Sequence, residues 1–267
     1  AEESGGGKVL MTEAGVFSGS DLCLELGVGA DFGTGARFWA SQGMELSFKG
    51  VSGHAGIKHG NAVNAVEPLL FVLGNLDYLR ASLGDKGLLH AVITSGGTSP
   101  GVVPERAQAL VRVRTRTPRL TERYVAHVKT LANLAAEVSG ASVATKTDLL
   151  YSDYVKCPSL TQLIFNNFKE MGIEADWLLD LTPRGSSDVG NVSHVVPTET
   201  IYVGLGHGLA AHTPAYREAA GGQRGHNVVI NGGKLLASCL LDLLTGDSET
   251  LLARVREEFA KSKAVSE

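Results

Sequence analysis

The chain is poor in the residues that mark specialised classes of protein. Its 267 residues include three cysteines, three methionines and two tryptophans. Cys23, Cys157 and Cys239 are odd in number and far apart, which excludes a disulfide framework and points to reduced thiols in a cytoplasmic compartment. No uninterrupted apolar run reaches the roughly 20 residues of a membrane helix, and no secretory signal pattern opens the sequence. Neither sign of charge dominates. With 24 basic and 28 acidic side chains the net charge is −4, which argues against nucleic acid or an anionic membrane as partner. Glycine is the residue in excess: 33 of them, above the norm of roughly 7%, imply many tight loops. A hydrophobic fraction of 43% over this length is enough for one large or two modest domains.

Periodicity then divides the chain. Residues 8–12 (Lys-Val-Leu-Met-Thr) read as a short strand, and 21–26 as a buried strand ending in the glycine-rich loop 27–33. From residue 44 to 148 the pattern is self-consistent. Met44 to Lys49 alternates as a half-buried strand. Residues 61–83 carry apolar side chains at helical spacing. Residues 90–94 form a strand, and 107–117 alternate Ala109, Val111 and Val113 with Gln108, Arg112 and Arg114. A helix over 121–139 and a strand over 141–147 complete the order β-α-β-β-α-β, the ferredoxin-like motif. Beyond it come a helix at 157–172, a turn at 184–190, a buried strand at 200–203, and helices at 228–244 and 248–261. The expected fold class is therefore an α/β catalytic-type domain, residues 1–42 with 150–267, interrupted by an inserted ferredoxin-like α+β domain, residues 43–149, that acts as a lid.

Two stretches stand out chemically. Gly204-Leu-Gly-His-Gly-Leu-Ala-Ala-His-Thr-Pro214 places His207 and His212 on a glycine-rich loop just past a buried strand, where the strand fixes a side chain and the loop leaves it reachable. At the other end lie Glu2 and Glu3. Paired carboxylates with a distant histidine suit metal binding and general-base chemistry. No strand precedes Glu2 to place it, so the sequence reads as a piece whose N-terminal part is missing.

Five motifs occur in one order: Ala1-Glu-Glu-Ser-Gly-Gly-Gly-Lys8, Gly53-His-Ala-Gly56, Gly96-Gly-Thr-Ser-Pro-Gly-Val-Val-Pro-Glu-Arg-Ala107, Ser187-Asp-Val-Gly-Asn-Val-Ser-His-Val-Val-Pro197 and Ala211-His-Thr-Pro214. Together they make the chain resemble the two-metal aminoacylase and carboxypeptidase family over essentially its whole length. The likeness is greatest to the branch with aminobenzoyl-glutamate hydrolases and dipeptidases of the β-alanyl-lysine type. The resemblance implies metal-dependent hydrolysis of an amide bond in an N-acyl amino acid or a dipeptide, with zinc or manganese as the metal. It makes Glu2 the general base, Glu3 and His212 metal ligands, His54 the oxyanion-stabilising histidine of the lid, and Arg114 the partner of the substrate carboxylate. Ser187 and Asp188 fall on the loop that lines the substrate, and the family forms homodimers through the lid. Two positions depart from the pattern. A further metal ligand of the family falls on Gly27, which has no side chain, with Glu25 two residues earlier on the same strand face. An asparagine of the family falls on Gly101. These departures leave open a second reading, a non-catalytic dimer-forming or small-ligand-binding relative of the same fold.

Overall fold

The computed structural model describes residues 5–57, 60–179, 181, 185–245 and 248–266. The chain separates into two compact units, one made of residues 1–38 and 153–267, the other of Trp39–Ser152.

In chain order the elements are α1 (Gly7–Glu13), β1 (Cys23–Gly29), β2 (Gly33–Thr34), β3 (Ala40–Lys49), β4 (Gly53–His54), α2 (Val66–Leu83), β5 (Gly87–Ser95), β6 (Val102–Val103), β7 (Arg106–Thr115), α3 (Pro118–Ser139) and β8 (Ser142–Thr147). There follow α4 (Pro158–Glu170), β9 (Asp176–Trp177), α5 (Val189–Ser193), β10 (Thr198–Gly204), α6 (Pro214–Ala220), α7 (Gln223–Leu244) and α8 (Ser248–Ser266).

The inserted unit is a four-stranded antiparallel sheet in the order β5-β7-β3-β8. Alternation along β7 buries Ala107, Ala109, Val111 and Val113 on one face, where α2 and α3 pack through Leu69, Val72, Leu76, Val128 and Ala132. The other face carries Gln108, Leu110, Arg112 and Arg114. Local signals fix the ends of α3. Thr117 caps it by accepting the Leu120 N–H at 3.3 Å, Pro118 supplies a preset φ at the first position, and Gly140 closes it in the left-handed region at φ 73°.

The other unit is organised by one parallel pair. β1 and β10 run side by side with Leu24, Leu26 and Val28 opposite Glu199, Ile201 and Val203, and with Glu25 and Gly27 opposite Thr200 and Tyr202. The short strands β2 and β9 extend the sheet to the order β1-β10-β2-β9. The face bearing Ile201 and Val203 is sealed by α4, α7 and α8 through Leu160, Ile164, Phe168, Leu235, Cys239 and Val255. Helix α8 is tied to the start of α4: the Glu258 carboxylate accepts the Ser159 N–H at 2.8 Å and the Ser159 hydroxyl at 2.7 Å, using a donor that a helix N-terminus leaves unpaired.

Three expectations are corrected here. Residues 8–12 are not a strand but the body of α1, because Lys8, Leu10 and Met11 are good helix formers and the carboxylate of Asp188 accepts the Lys8 backbone N–H at the helix start, 2.9 Å away. The run 27–33 is not a plain loop, since β1 continues to Gly29 and β2 begins at Gly33. Helix α7 does have the length and apolarity of a membrane-crossing segment. The polar residues Asn231, Lys234 and Asp242 break its apolar run in the sequence, while its buried face packs on β10.

Glu199 is buried and accepts hydrogen bonds from the Gly35 N–H at 3.2 Å, the Thr200 N–H at 2.9 Å and the Thr161 hydroxyl. Burial outweighs these bonds and pushes its carboxyl from an ordinary 4.5 up to about 7. The folded chain therefore keeps a proton that the unfolded chain has lost between those two values. This contribution to stability is complete below about pH 4.5 and lost as the pH rises through about 7, a change of about 3 kcal/mol. Urea midpoints measured from pH 4.5 to 8 should fall across that window, and Glu199→Gln should flatten the fall. A midpoint that rises with pH would contradict the assignment.

Candidate functional site

The face of the β1–β10 pair opposite the sealed core is polar. Here a cleft of about 980 Å³ is lined by Lys8, Glu25, Gly27, Thr200, Tyr202 and His212, among others. Glu25 and Gly27 of β1, with Thr200 and Tyr202 of β10, point into it because alternate residues share one side of a strand. The cleft reaches the carboxyl ends of two parallel strands, the place where open α/β sheets bind ligands.

His212 enters it from the loop between β10 and α6. It is the one non-glycine residue with positive φ, 63°, among the described residues. Such a conformation costs of order 1–3 kcal/mol and is kept where the surroundings over-determine it. The next two residues supply that constraint. Thr213 caps α6, accepting the Tyr216 N–H at 3.3 Å and donating its hydroxyl to the Ala210 carbonyl at 2.7 Å, and Pro214 begins the helix. The Tyr216 hydroxyl then donates to the Val28 carbonyl at 2.8 Å and ties α6 to β1.

At the floor of the cleft the Lys8 ammonium lies 2.9 Å from an Asp188 oxygen and 3.1 Å from a Glu25 oxygen. Asp188 is almost wholly buried, and the Thr200 hydroxyl donates to Glu25 at 3.1 Å. Burial pulls the Lys8 ammonium toward neutrality, but the hydrogen bond to Asp188 and the charge of Glu25 prevail and hold its pKa above the usual lysine value. Ser187 lines the cleft directly, whereas Asp188 reaches it through Lys8.

Gly27 has a neighbour that the sequence does not reveal. A Cβ built on it would lie 2.9 and 3.0 Å from ring carbons of Tyr202, its partner across the sheet. The aromatic ring occupies the room that a liganding side chain at position 27 would need. Glu25, two residues back, is already held by Lys8 and Thr200. Among the described residues no cluster of three or more histidine, cysteine, aspartate or glutamate side chains is arranged to hold a metal ion. The described residues therefore do not fit a two-metal centre. Glu2 and Glu3 lie outside the described residues.

The inserted unit carries the other two candidates. His54 is exposed on β4, paired with β6, and its Nδ1 accepts the Gly56 N–H at 3.0 Å. A neutral His54 with Nδ1 so engaged carries its proton on Nε2. Arg114 stands on the open face of β7. Among the described residues its buried Nε has no hydrogen-bond partner, and burial, then the charge of Arg112, lowers its pKa. Arg112 is engaged instead by Asp148 at 2.8 Å. Gly101 lies near Ser99, whose hydroxyl accepts the Gly101 N–H at 3.3 Å.

Two members of the site went unnoticed in the sequence. Lys8 follows the glycine run of the first motif, and its spacing from Glu2–Glu3 is the signal that could have found it. Tyr202 sits in a plain apolar strand, and only the register against Gly27 shows what it does.

A family described as the Peptidase dimerisation domain matches residues 40–139. The human Xaa-Arg dipeptidase is 28% identical over 263 residues, which cover 97% of this chain and 60% of that protein. A p-aminobenzoyl-glutamate hydrolase chain of Escherichia coli is 27% identical over 173 residues, 64% of this chain and 36% of the relative. The chain thus spans about 60% of the length of the dipeptidase relative. Among solved structures, one described as an aminohydrolase from methicillin resistant Staphylococcus aureus superposes with a TM-score of 0.66 at 19% identity, covering 92% of this chain and 65% of that one. Its likeness concerns the fold, and the sequence relatives carry the assignment further. Residues 40–139 thus match the peptidase dimerisation domain, and over nearly its whole length the chain is similar to dipeptidases and amide hydrolases of the metallopeptidase type.

Proposed function

We propose that the chain serves the hydrolysis of an amide bond in an N-acyl amino acid or dipeptide, and that its part in that reaction is to bind the substrate. The observation that carries this reading is the cleft at the carboxyl ends of β1 and β10, with His212 held in a strained conformation at its rim. The relatives support the substrate class. Xaa-Arg dipeptidase and p-aminobenzoyl-glutamate hydrolase are both named for amides that end in an amino acid, so each has a free carboxylate. Arg114, with a buried and unpaired guanidinium N–H, is the donor suited to that carboxylate. His54 offers Nε2–H to a carbonyl oxygen as negative charge builds on it. In this reading Glu2 takes a proton from water, and Ser187 with Asp188 shapes the wall of the cleft.

Glu3 and His212 are the positions that would take a metal, with zinc or manganese supplying Lewis-acid polarisation of the carbonyl. Because the described residues do not complete such a site, no step is assigned to the metal. The inserted unit, with its βαββαβ order, acts in this proposal as a ferredoxin-like lid and as the surface of a homodimer. The three free thiols support a reducing, cytoplasmic setting. The second reading, a ligand-binding relative without catalysis, is favoured by one observation: Tyr202 over Gly27.

Metal content and turnover test whether the chain by itself goes beyond binding. After dialysis, mass spectrometry of the purified chain should find well under two metal ions per chain and little amide hydrolysis. Full occupancy with brisk turnover would overturn the substrate-binding assignment. Arg114→Ala should weaken binding of an N-acyl amino acid by about tenfold or more, while leaving binding of its carboxamide unchanged, by calorimetry. Equal losses for both ligands would remove Arg114 from carboxylate recognition. Lys8→Met should lower stability by about 3 kcal/mol, since it strands a buried carboxylate, and adding Asp188→Asn should recover part of the loss in urea titrations.

A further inference from the structure

Buried polar side-chain atoms nearly always find a hydrogen-bond partner. Among the described residues four do not: Ser41 Oγ, Arg114 Nε, Asn167 Oδ1 and Ser186 Oγ. Asn167 is engaged through its other amide atom, which donates to Asp242 at 2.7 Å and to the Leu163 carbonyl at 3.0 Å. Ser186 lines the cleft already described. Ser41 and Arg114 differ from these, because they are direct partners across the sheet of the inserted unit. Ser41 on β3 and Arg114 on β7 therefore share the open face, with Cβ atoms roughly 4.5–5.5 Å apart.

The backbone of Ser41 is satisfied. Its N–H donates to the Tyr151 carbonyl at 2.8 Å, and its own carbonyl accepts the Tyr151 N–H at 2.9 Å. Only the hydroxyl is left over, on a residue that is 2% exposed. A hydroxyl can turn about one bond to seek an acceptor, and a buried one that finds none costs stability. The charges nearby show the same deficit. Arg112, two residues along the face, is balanced by Asp148 at 2.8 Å, and Asp148 also accepts the Gly43 N–H. Arg114 has no such carboxylate among the described residues, and its neighbour on the other side is Leu88 of β5.

We infer that Ser41 is a specificity-determining residue of this site: its hydroxyl and the Arg114 Nε–H donate to the two oxygens of one ligand carboxylate. The inference rests on the reading of Arg114 given above and adds the group that orients the carboxylate. Hydrogen bonds to an ionised acceptor are short and strong, and a sheet holds its donors at a fixed separation. A carboxamide presents one oxygen and one NH2, so one of the two donors would meet another donor. The pair thus selects a free carboxylate over its amide. An unpaired buried hydroxyl is kept at a cost to the free protein because the ligand completes it.

The test follows the Arg114 Nε–H resonance of the whole chain by NMR, identified by its loss in Arg114→Lys. Acetate should move it saturably and acetamide should not. Ser41→Ala should raise the acetate Kd by about tenfold, and Ser41→Thr, which keeps a hydroxyl, should stay within about twofold of the parent. The urea midpoint of Ser41→Ala should equal or exceed that of the parent, since the substitution removes an unpaired hydroxyl. An unchanged acetate Kd in Ser41→Ala, with binding lost in Arg114→Ala, would overturn the inference and leave the reading of Arg114 standing. A resonance that acetate does not move would overturn both. A lowered urea midpoint in Ser41→Ala would make the hydroxyl structural and overturn the inference, as would inorganic phosphate that binds more tightly than acetate.

Discussion

The parallel pairing of β1 with β10 is the constraint on which the larger unit depends. Its register assigns every side chain of two strands to one of two faces at once. Ile201 and Val203 then meet three helices on one side, and Glu25, Gly27, Thr200 and Tyr202 line a cleft on the other. A slip of one residue would send Glu25 into the core and Ile201 into water. The apolar face therefore holds the polar one in place. The core sets the positions of the groups in the cleft and makes none of their bonds.

Within the cleft the charges are arranged by elements from distant parts of the chain. Lys8 belongs to α1, Asp188 precedes α5, and Glu25 lies on β1. One ammonium satisfies two carboxylates, one of them almost wholly buried, and the same Asp188 accepts the backbone N–H of Lys8. The triad thus fixes the start of α1 against the loop before α5 and leaves one net negative charge. This is an arrangement of fixed charge that orders the floor of a cleft, and it occupies the carboxylate nearest to Gly27. Tyr202 completes the change by filling the space above that glycine. Two independent features thus meet at one spot, a ring in the room of a side chain and an ammonium on the adjacent acid.

How much of this was legible in the sequence follows from the range of each interaction. The inserted unit could be read almost element by element, because alternation in Ala107–Val113 and helical spacing in Leu69–Leu76 are local patterns that the core obeys. The larger unit was harder. Residues 8–12 have the composition of a short strand, yet a carboxylate 180 positions away helps to start a helix there. β2 and β9 have two residues each, too few to show any period. The His-Thr-Pro segment was found as chemistry, and its capping role followed from the same three residues. What stood beside Gly27 could not be found locally. Tyr202 and Lys8 reach their places through pairings that join the two ends of the chain.

On α7 the buried residues Gly232, Leu235, Cys239 and Leu243 span about 80° of the helix and the exposed apolar residues about 120°, at 100° per residue. Selection for stability of these residues alone would favour polar side chains at Val229 and Leu244, where exposure to water gains nothing.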